Sequence, residues 1–270
     1  MTAGHALEHA NWQVPAFDAL ELTERRSDVC VCIPVIDEGE RLHRQLERMR
    51  EHADGLDIVI ADGGSRDGSV DAERLATKGV RARLVKTGPG KLSAQMRMAM
   101  AWALEAGYTG LIFVDGNDKD DPEALPRFRA KLDEGFDHVQ GSRYVEGGEA
   151  INTPWARHWG VKLLHAPLIS LAARFPYTDT TNGFRAYSAR FLTDPRVAPF
   201  RDVFQAYELH YYLAIRAARL DFRVCEIPTV RAYPNGGAMP TKISGVRGNL
   251  HVLRTLLRAA LLRFDPPTRG

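Results

Sequence analysis

The sequence predicts an α/β protein built on a doubly wound, mostly parallel sheet, and three observations predict it. Short apolar runs of strand length recur, as in "VCVCIP", "LDIVIAD" and "GLIFVD". Segments with helical spacing lie between them, so strand and helix alternate along the chain. The runs end in polar loops, and in a sheet of this kind such loops gather beyond the carboxyl ends of the strands, where ligands sit.

The elements follow in order. Residues 1 to 26 are polar, with His, Trp and Pro scattered without a sustained period, and read as an N-terminal arm. "VCVCIP" is the first strand, closed by Pro34, and "EGERLHRQLERMREHA" places Leu42, Leu46 and Met49 on one helical face. "LDIVIADGGSRDGS" is a strand running into a Gly, Asp and Ser loop, with a helix over Val70 to Thr77 before the strand "ARLVK". "KLSAQMRMAMAWALEA" is a helix, "GLIFVD" a buried strand, and "PEALPRFRAKLDEG" a helix with Pro122 near its start and Gly135 at its end. After "VQGSRY" come a helical stretch over about 161–174, the segment "YTDTTNGFRAYS", a helix around "AYELHYYLAIRAARL" and the strand "FRVCEIP". From Lys242 onward the chain is amphipathic, with Leu250, Leu253, Leu256, Leu257 and Leu261 apolar and Arg247, Arg254, Arg258 and Arg263 basic. This divides the chain into an arm (1–26), a main domain (27–241) and a C-terminal helix (242–270).

Composition bounds the function. With 270 residues and 44% hydrophobic content the chain has material for one large core. Its 36 basic and 34 acidic residues nearly cancel, which argues against a nucleic-acid partner. Cys30, Cys32 and Cys225 form no metal-ligand pattern, and Cys30 and Cys32 share one strand face, so they are expected as packed, reduced thiols. The opening residues lack the order of a signal peptide, and no stretch reaches the length of a membrane span, so a cytoplasmic protein is expected.

"FVDGNDKDDPE" (113–123) concentrates five carboxylates beyond a strand. Asp120, Asp121 and Glu123 suit a solvated helix N-terminus. Asp115, at the end of the strand itself, is placed to hold a hard divalent cation for a phosphate-bearing substrate. "CIPVIDEGERL" and "ADGGSRDGS" each follow a strand with polar groups able to bind a base and ribose. "GPGKLSAQ" offers Lys91 at a glycine-flanked helix start.

In this order the segments resemble the family 2 inverting glycosyltransferases of the GT-A fold, in particular the dolichol-phosphate mannose synthases and other polyprenyl-phosphate glycosyltransferases. The family's "IPxYNExxNL" stands here as "IPVIDEGERL", its "DDGSxDGT" as "DGGSRDGS" and its "DADxQxDPE" as "DGNDKDDPE". The match continues through "GSRY", "DTTNGFRAYS" and "EIPTVRAYP". The resemblance implies that Pro34, Ile36, Glu38, Asp62 and Lys91 bind the donor, a nucleoside-diphosphate sugar. It implies that Asp115 and Asn117 hold Mg2+ or Mn2+, and that Arg143, Asn182, Arg231 and Lys242 serve the acceptor or its phosphate. Asp115, Asp179, Arg143 and Arg185 would be the catalytic set. Arg185 and Arg231 read equally well as surface residues.

The second acid of the family's metal motif is Asn117 here, and its Gln is Lys119. Three alternatives follow: a metal held by Asp115 with Asn117 or Asp118, a site in which Lys119 partly replaces the metal, or a protein that binds nucleotide sugar without transfer. The acceptor also stays open. A polyprenyl phosphate is already anionic and needs no strong base, whereas a hydroxyl needs a carboxylate, for which Asp179 is the candidate. The C-terminal helix suits either an anionic membrane surface, at the inner face of the membrane, or packing on the core or a partner chain. A membrane-anchoring partner and a homo-oligomer are both compatible with it. A nucleotidyltransferase is disfavoured, because no Gly-rich loop with Lys or Arg follows "VCVCIP".

Overall fold

A computed structural model describes residues 11–234 and 245–267. In chain order the elements are β1 (Phe17–Glu21), β2 (Val29–Val35), α1 (Glu40–Met49), β3 (Asp57–Asp62), α2 (Ala72–Ala76), β4 (Val80–Lys86), α3 (Leu92–Glu105) and β5 (Gly110–Phe113). A 3-10 turn, Pro122–Ala124, leads into α4 (Leu125–Asp133), followed by β6 (His138–Ser142) and β7 (Glu149–Ile151). Then α5 (Trp155–Gly160) continues through a π-helical segment, Val161–His165, into α6 (Ala166–Ala173). The chain closes with β8 (Arg185–Ser188), α7 (Ala189–Thr193), α8 (Glu208–Arg219), β9 (Val224–Pro228), β10 (Val230–Ala232) and α9 (Gly245–Ala260).

Every apolar run predicted as a strand enters one eight-stranded sheet, ordered β1-β4-β3-β2-β5-β8-β6-β9. The β4-β3-β2-β5 half is parallel, while β8 runs antiparallel to both β5 and β6. β7 and β10 form a separate parallel pair. Strand β2 shows why both faces must be covered. Cys30 and Cys32 belong to one apolar core with α3 and α8, and Val29, Val31, Ile33 and Val35 to the other with α1 and α4. All three cysteines are free, and Cys30 and Cys32 are fully buried, as their shared face predicted.

Two expectations change. Residues 11–26 are not a loose arm throughout: Phe17 is buried where β1 pairs antiparallel with β4, and the Trp12 ring stacks on Phe200 at 3.8 Å. Two aromatic anchors so close together leave no sustained period for a sequence pattern to register. The helix expected over 161–174 begins earlier, at Trp155. The C-terminal helix packs on α6 and α8, with Leu256, Ala259 and the following Phe264 buried in the α3 core.

Candidate active site

Beyond the carboxyl ends of the central strands lies a cavity of about 730 Å3. Pro34, Val35, Ile36 and Glu38 come from the end of β2, Gly63 from β3, Lys86 from β4 and Asp115, Gly116, Asn117 and Lys119 from the loop after β5. Lys91 and Gln95 enter at the start of α3, Arg143 after β6, and Arg157, Val161 and His165 from the α5–α6 segment. Tyr207 at the N-cap of α8, His210 and Tyr211 within it, and Arg231 and Tyr233 complete the lining. Among the described lining residues, eight are basic (Arg41, Lys86, Lys91, Lys119, Arg143, Arg157, Arg185, Arg231) and two acidic (Glu38, Asp115). Such a surplus of positive charge in a concave site selects an anionic ligand.

Asp115 is the pivot. Its Oδ2 accepts from Arg231 Nη2 at 2.9 Å, and Arg231 also pairs with the buried Asp120. Burial alone would raise the Asp115 carboxyl, but the charge and hydrogen bond of Arg231, with the charge of Lys119, outweigh it and hold the group below the usual range. Burial dominates at Asp120, whose carboxyl is pushed up to about 6. Gly183 leaves no room for a side chain, since a Cβ there would come within 2.5 Å of Asp115 Oδ1. Arg231 is therefore no surface residue, and Asp120 is not a solvated helix cap but the second anchor of that arginine. Asp121 instead accepts from the Val230 backbone N–H at 2.9 Å.

Arg143 is set by Asp179, which receives its Nε at 2.6 Å and its Nη2 at 2.9 Å, while Thr181 Oγ1 takes a third bond at 2.8 Å. Asp179 is fully buried behind Arg143, away from the lining. Burial would raise its carboxyl, yet the adjacent guanidinium holds it below the usual range. Both of its oxygens are engaged by Arg143, whose guanidinium it orients.

Three further predicted residues are held by hydrogen bonds within the protein. Asp62 accepts from Ser65 N and Oγ, and Ser65 Oγ accepts from Asp37 N, which ties the loops after β2 and β3 together. Asn182 is buried, bonding Thr229 Oγ1 and the Phe184 backbone N–H. Arg185, also buried and so not a surface residue, donates to the carbonyls of Asn182, Thr180 and His210, pinning the 180–183 loop to α8. Glu38 faces the cavity paired with Arg41 at 2.9 Å. Lys91 lines the floor, its backbone N–H on Gln205 O at 2.7 Å. Lys242 lies outside the described residues.

Asn117 and Lys119 bear on a metal. Asp118 does not, because its carboxylate turns outward to Arg48 at 2.8 Å and Arg44 at 3.2 Å. Among the described residues no three His, Cys, Asp or Glu side chains gather as a metal-binding cluster. Asn117 Oδ1, however, is a buried acceptor without a hydrogen-bond partner, on the same loop as Asp115. These two oxygens fit a hard ion that takes few protein ligands and completes its shell with substrate phosphate and water.

The sequence had not singled out Lys86, Arg157, His165 or the α8 residues. Tyr207, His210 and Tyr211 follow an i, i+3, i+4 spacing at the start of a helix whose remaining face is core. Burial, then the charge of Arg185, lowers His210 to about 3, so its imidazole is neutral beside Asp115. Arg157 Nη1 donates to Tyr233 Oη at 2.6 Å, and the Lys119 ammonium lies 4.8 Å from the centre of the same ring.

The chain is similar to known proteins. The family described as Glycosyl transferase family 2 matches residues 30–207. An undecaprenyl-phosphate mannosyltransferase of Micrococcus luteus is 31% identical over 205 residues, 74% of this chain and 82% of that protein. A polyprenol monophosphomannose synthase of Mycolicibacterium smegmatis is 30% identical, covering 73% of this chain and 75% of that protein. Among solved structures, glucosyl-3-phosphoglycerate synthase of Mycobacterium tuberculosis, in complex with Mn2+, UDP and glucosyl-3-phosphoglycerate, superposes with a TM-score of 0.62. It is 19% identical and covers 90% of this chain and 82% of its own, a likeness of fold. With the strand order, the cavity at the strand ends and the family match in agreement, the chain belongs to glycosyltransferase family 2 and has its GT-A fold.

Proposed function

We propose that this enzyme transfers a sugar, with inversion, from a nucleoside-diphosphate sugar to a polyprenyl phosphate. The observation that carries the proposal is the cavity's lining, eight cations against two carboxylates among the described residues, both carboxylates ion-paired. A hydroxyl acceptor needs a base, and neither Glu38 beside Arg41 nor the acid-shifted Asp115 suits that task. A phosphate acceptor needs only to be held and aimed, since its oxygen is already anionic. The names of the Micrococcus and Mycolicibacterium relatives support the same acceptor class.

In this mechanism the base and ribose lie against Pro34, Ile36 and Glu38, with Lys91 near the start of α3. Asp115 and Asn117 would hold Mg2+ or Mn2+, which when bound neutralises charge on the departing diphosphate. Arg231, buried between Asp115 and Asp120, keeps Asp115 ionised and oriented. Arg143, fixed by Asp179, and Lys119 add fixed positive charge where negative charge builds. Arg143 and Arg157, both lining the cavity, would position the acceptor phosphate. Attack of its oxygen on the anomeric carbon displaces the diphosphate in one step, inverting that centre.

A thermal-shift series with UDP, GDP, CDP and dTDP, each with Mg2+, Mn2+ or EDTA, tests the donor site. One nucleotide is expected to raise the melting temperature, more with metal than with EDTA. A shift equally large in EDTA would move the metal's part to Lys119, and no shift with any nucleotide would refute the donor site.

A further inference from the structure

We infer that the outer face of the α5–α6 segment, together with α9, docks on an anionic lipid bilayer and brings the cavity mouth to the membrane. The inference rests on the proposed lipid-phosphate acceptor and adds the surface that would present it. Of the eleven exposed large apolar side chains among the described residues, eight fall within residues 155–171 and 250–261. Trp155 is 77% exposed, Leu163 70%, Leu171 80% and Leu261 66%, and the two stretches meet where α6 packs on α9. Concentration of this kind marks an interaction site rather than scattered surface apolarity.

Charge identifies the occupant. Residues 150–178 and 245–264 contain no Asp or Glu, whereas Lys162, Arg174, Arg254 and Arg258 are exposed around the apolar side chains. A second copy of the chain would set like charge against like charge across this face, which an anionic surface avoids. Trp at an apolar–polar boundary with flanking Lys and Arg suits the headgroup region of a bilayer. No helix of the described residues is long and apolar enough to cross a membrane, so the contact is with its surface. The inner side of the same elements supplies Arg157, Val161, His165 and Val252 to the cavity. One wall thus faces lipid on one side and the acceptor's charged end on the other.

Co-sedimentation of the full chain with phosphatidylcholine vesicles, with and without phosphatidylglycerol, tests this. The wild type is expected to sediment with the anionic vesicles, less so as salt rises, with a blue shift of tryptophan fluorescence. Leu163→Asp with Leu171→Asp is expected to weaken partition by at least about tenfold, and Lys162→Glu with Arg254→Glu to abolish the preference for anionic lipid. Both double variants should keep the wild-type far-UV spectrum and nucleotide thermal shift, which separates loss of docking from failure of the donor site. A wild type that stays in the supernatant, or a Leu163→Asp/Leu171→Asp variant that sediments unchanged, overturns the inference. A wild-type dimer made monomeric by those two substitutions, without vesicle binding, would give the face to a second copy instead.

Discussion

Asp115 and Arg143 are each held by a partner distant in sequence, and those partnerships decide what the side chains do. Arg231 reaches Asp115 across 116 positions, and Asp179 reaches Arg143 across 36. Asp179→Asn tests the second pair. It keeps the shape but leaves a buried guanidinium uncompensated, and a loss of about 3–5 kcal/mol in unfolding free energy is expected from urea denaturation. A general-base role would instead leave stability near wild type and remove turnover. Motif spacing made Asp115, Asn117 and Lys119 legible, because all three lie within five residues. It could not show that Asp120 balances Arg231 or that Asp118 turns away, because the arginines they meet come from elements remote in the chain.

At the scale of elements, the parallel strands β2, β3, β4 and β5 were evident from their apolar runs and the helices between them. The reversed strand β8 was not, because "RAYS" has the same composition whichever way the chain crosses the sheet. Its insertion creates a buried stack between neighbouring strands, with the His138 ring of β6 on Tyr187 of β8 at 5.1 Å. Burial, then the charge of Arg185, lowers His138 to about 3. Below the ordinary histidine value of roughly 6.5 the unfolded chain takes up a proton that the folded chain refuses. His138 therefore contributes stability that is complete above that value and is lost as pH falls towards 3. Each such histidine adds a slope of up to about 1.4 kcal/mol per pH unit in that window. His138→Phe keeps a ring in the stack, and its unfolding free energy measured from pH 7 to 4.5 should fall less steeply than that of the wild type. Parallel profiles would show that His138 does not titrate as described.

For the whole molecule, a net charge of +2 conceals a cavity lined, among the described residues, by eight cations and two anions, so overall composition gave no hint of an anion site. The order of the motifs did, because in a parallel sheet successive strand ends deliver their loops to the same edge. The α8 side chains and the wall formed by α5 and α6 carry no comparable signature, since a helix with one lining face and one core face reads as an ordinary buried helix. Together these elements line one compartment, in which the proposed mechanism has donor diphosphate and acceptor phosphate share a set of fixed cations. The most direct test is transfer itself, with wild type and Asp115→Ala incubated with the nucleotide sugar of the base that binds and with undecaprenyl phosphate. The account predicts a glycolipid of inverted anomeric configuration from the wild type and a rate about 100-fold to 1,000-fold lower from Asp115→Ala. Full transfer by Asp115→Ala, or a product of retained configuration, would contradict it.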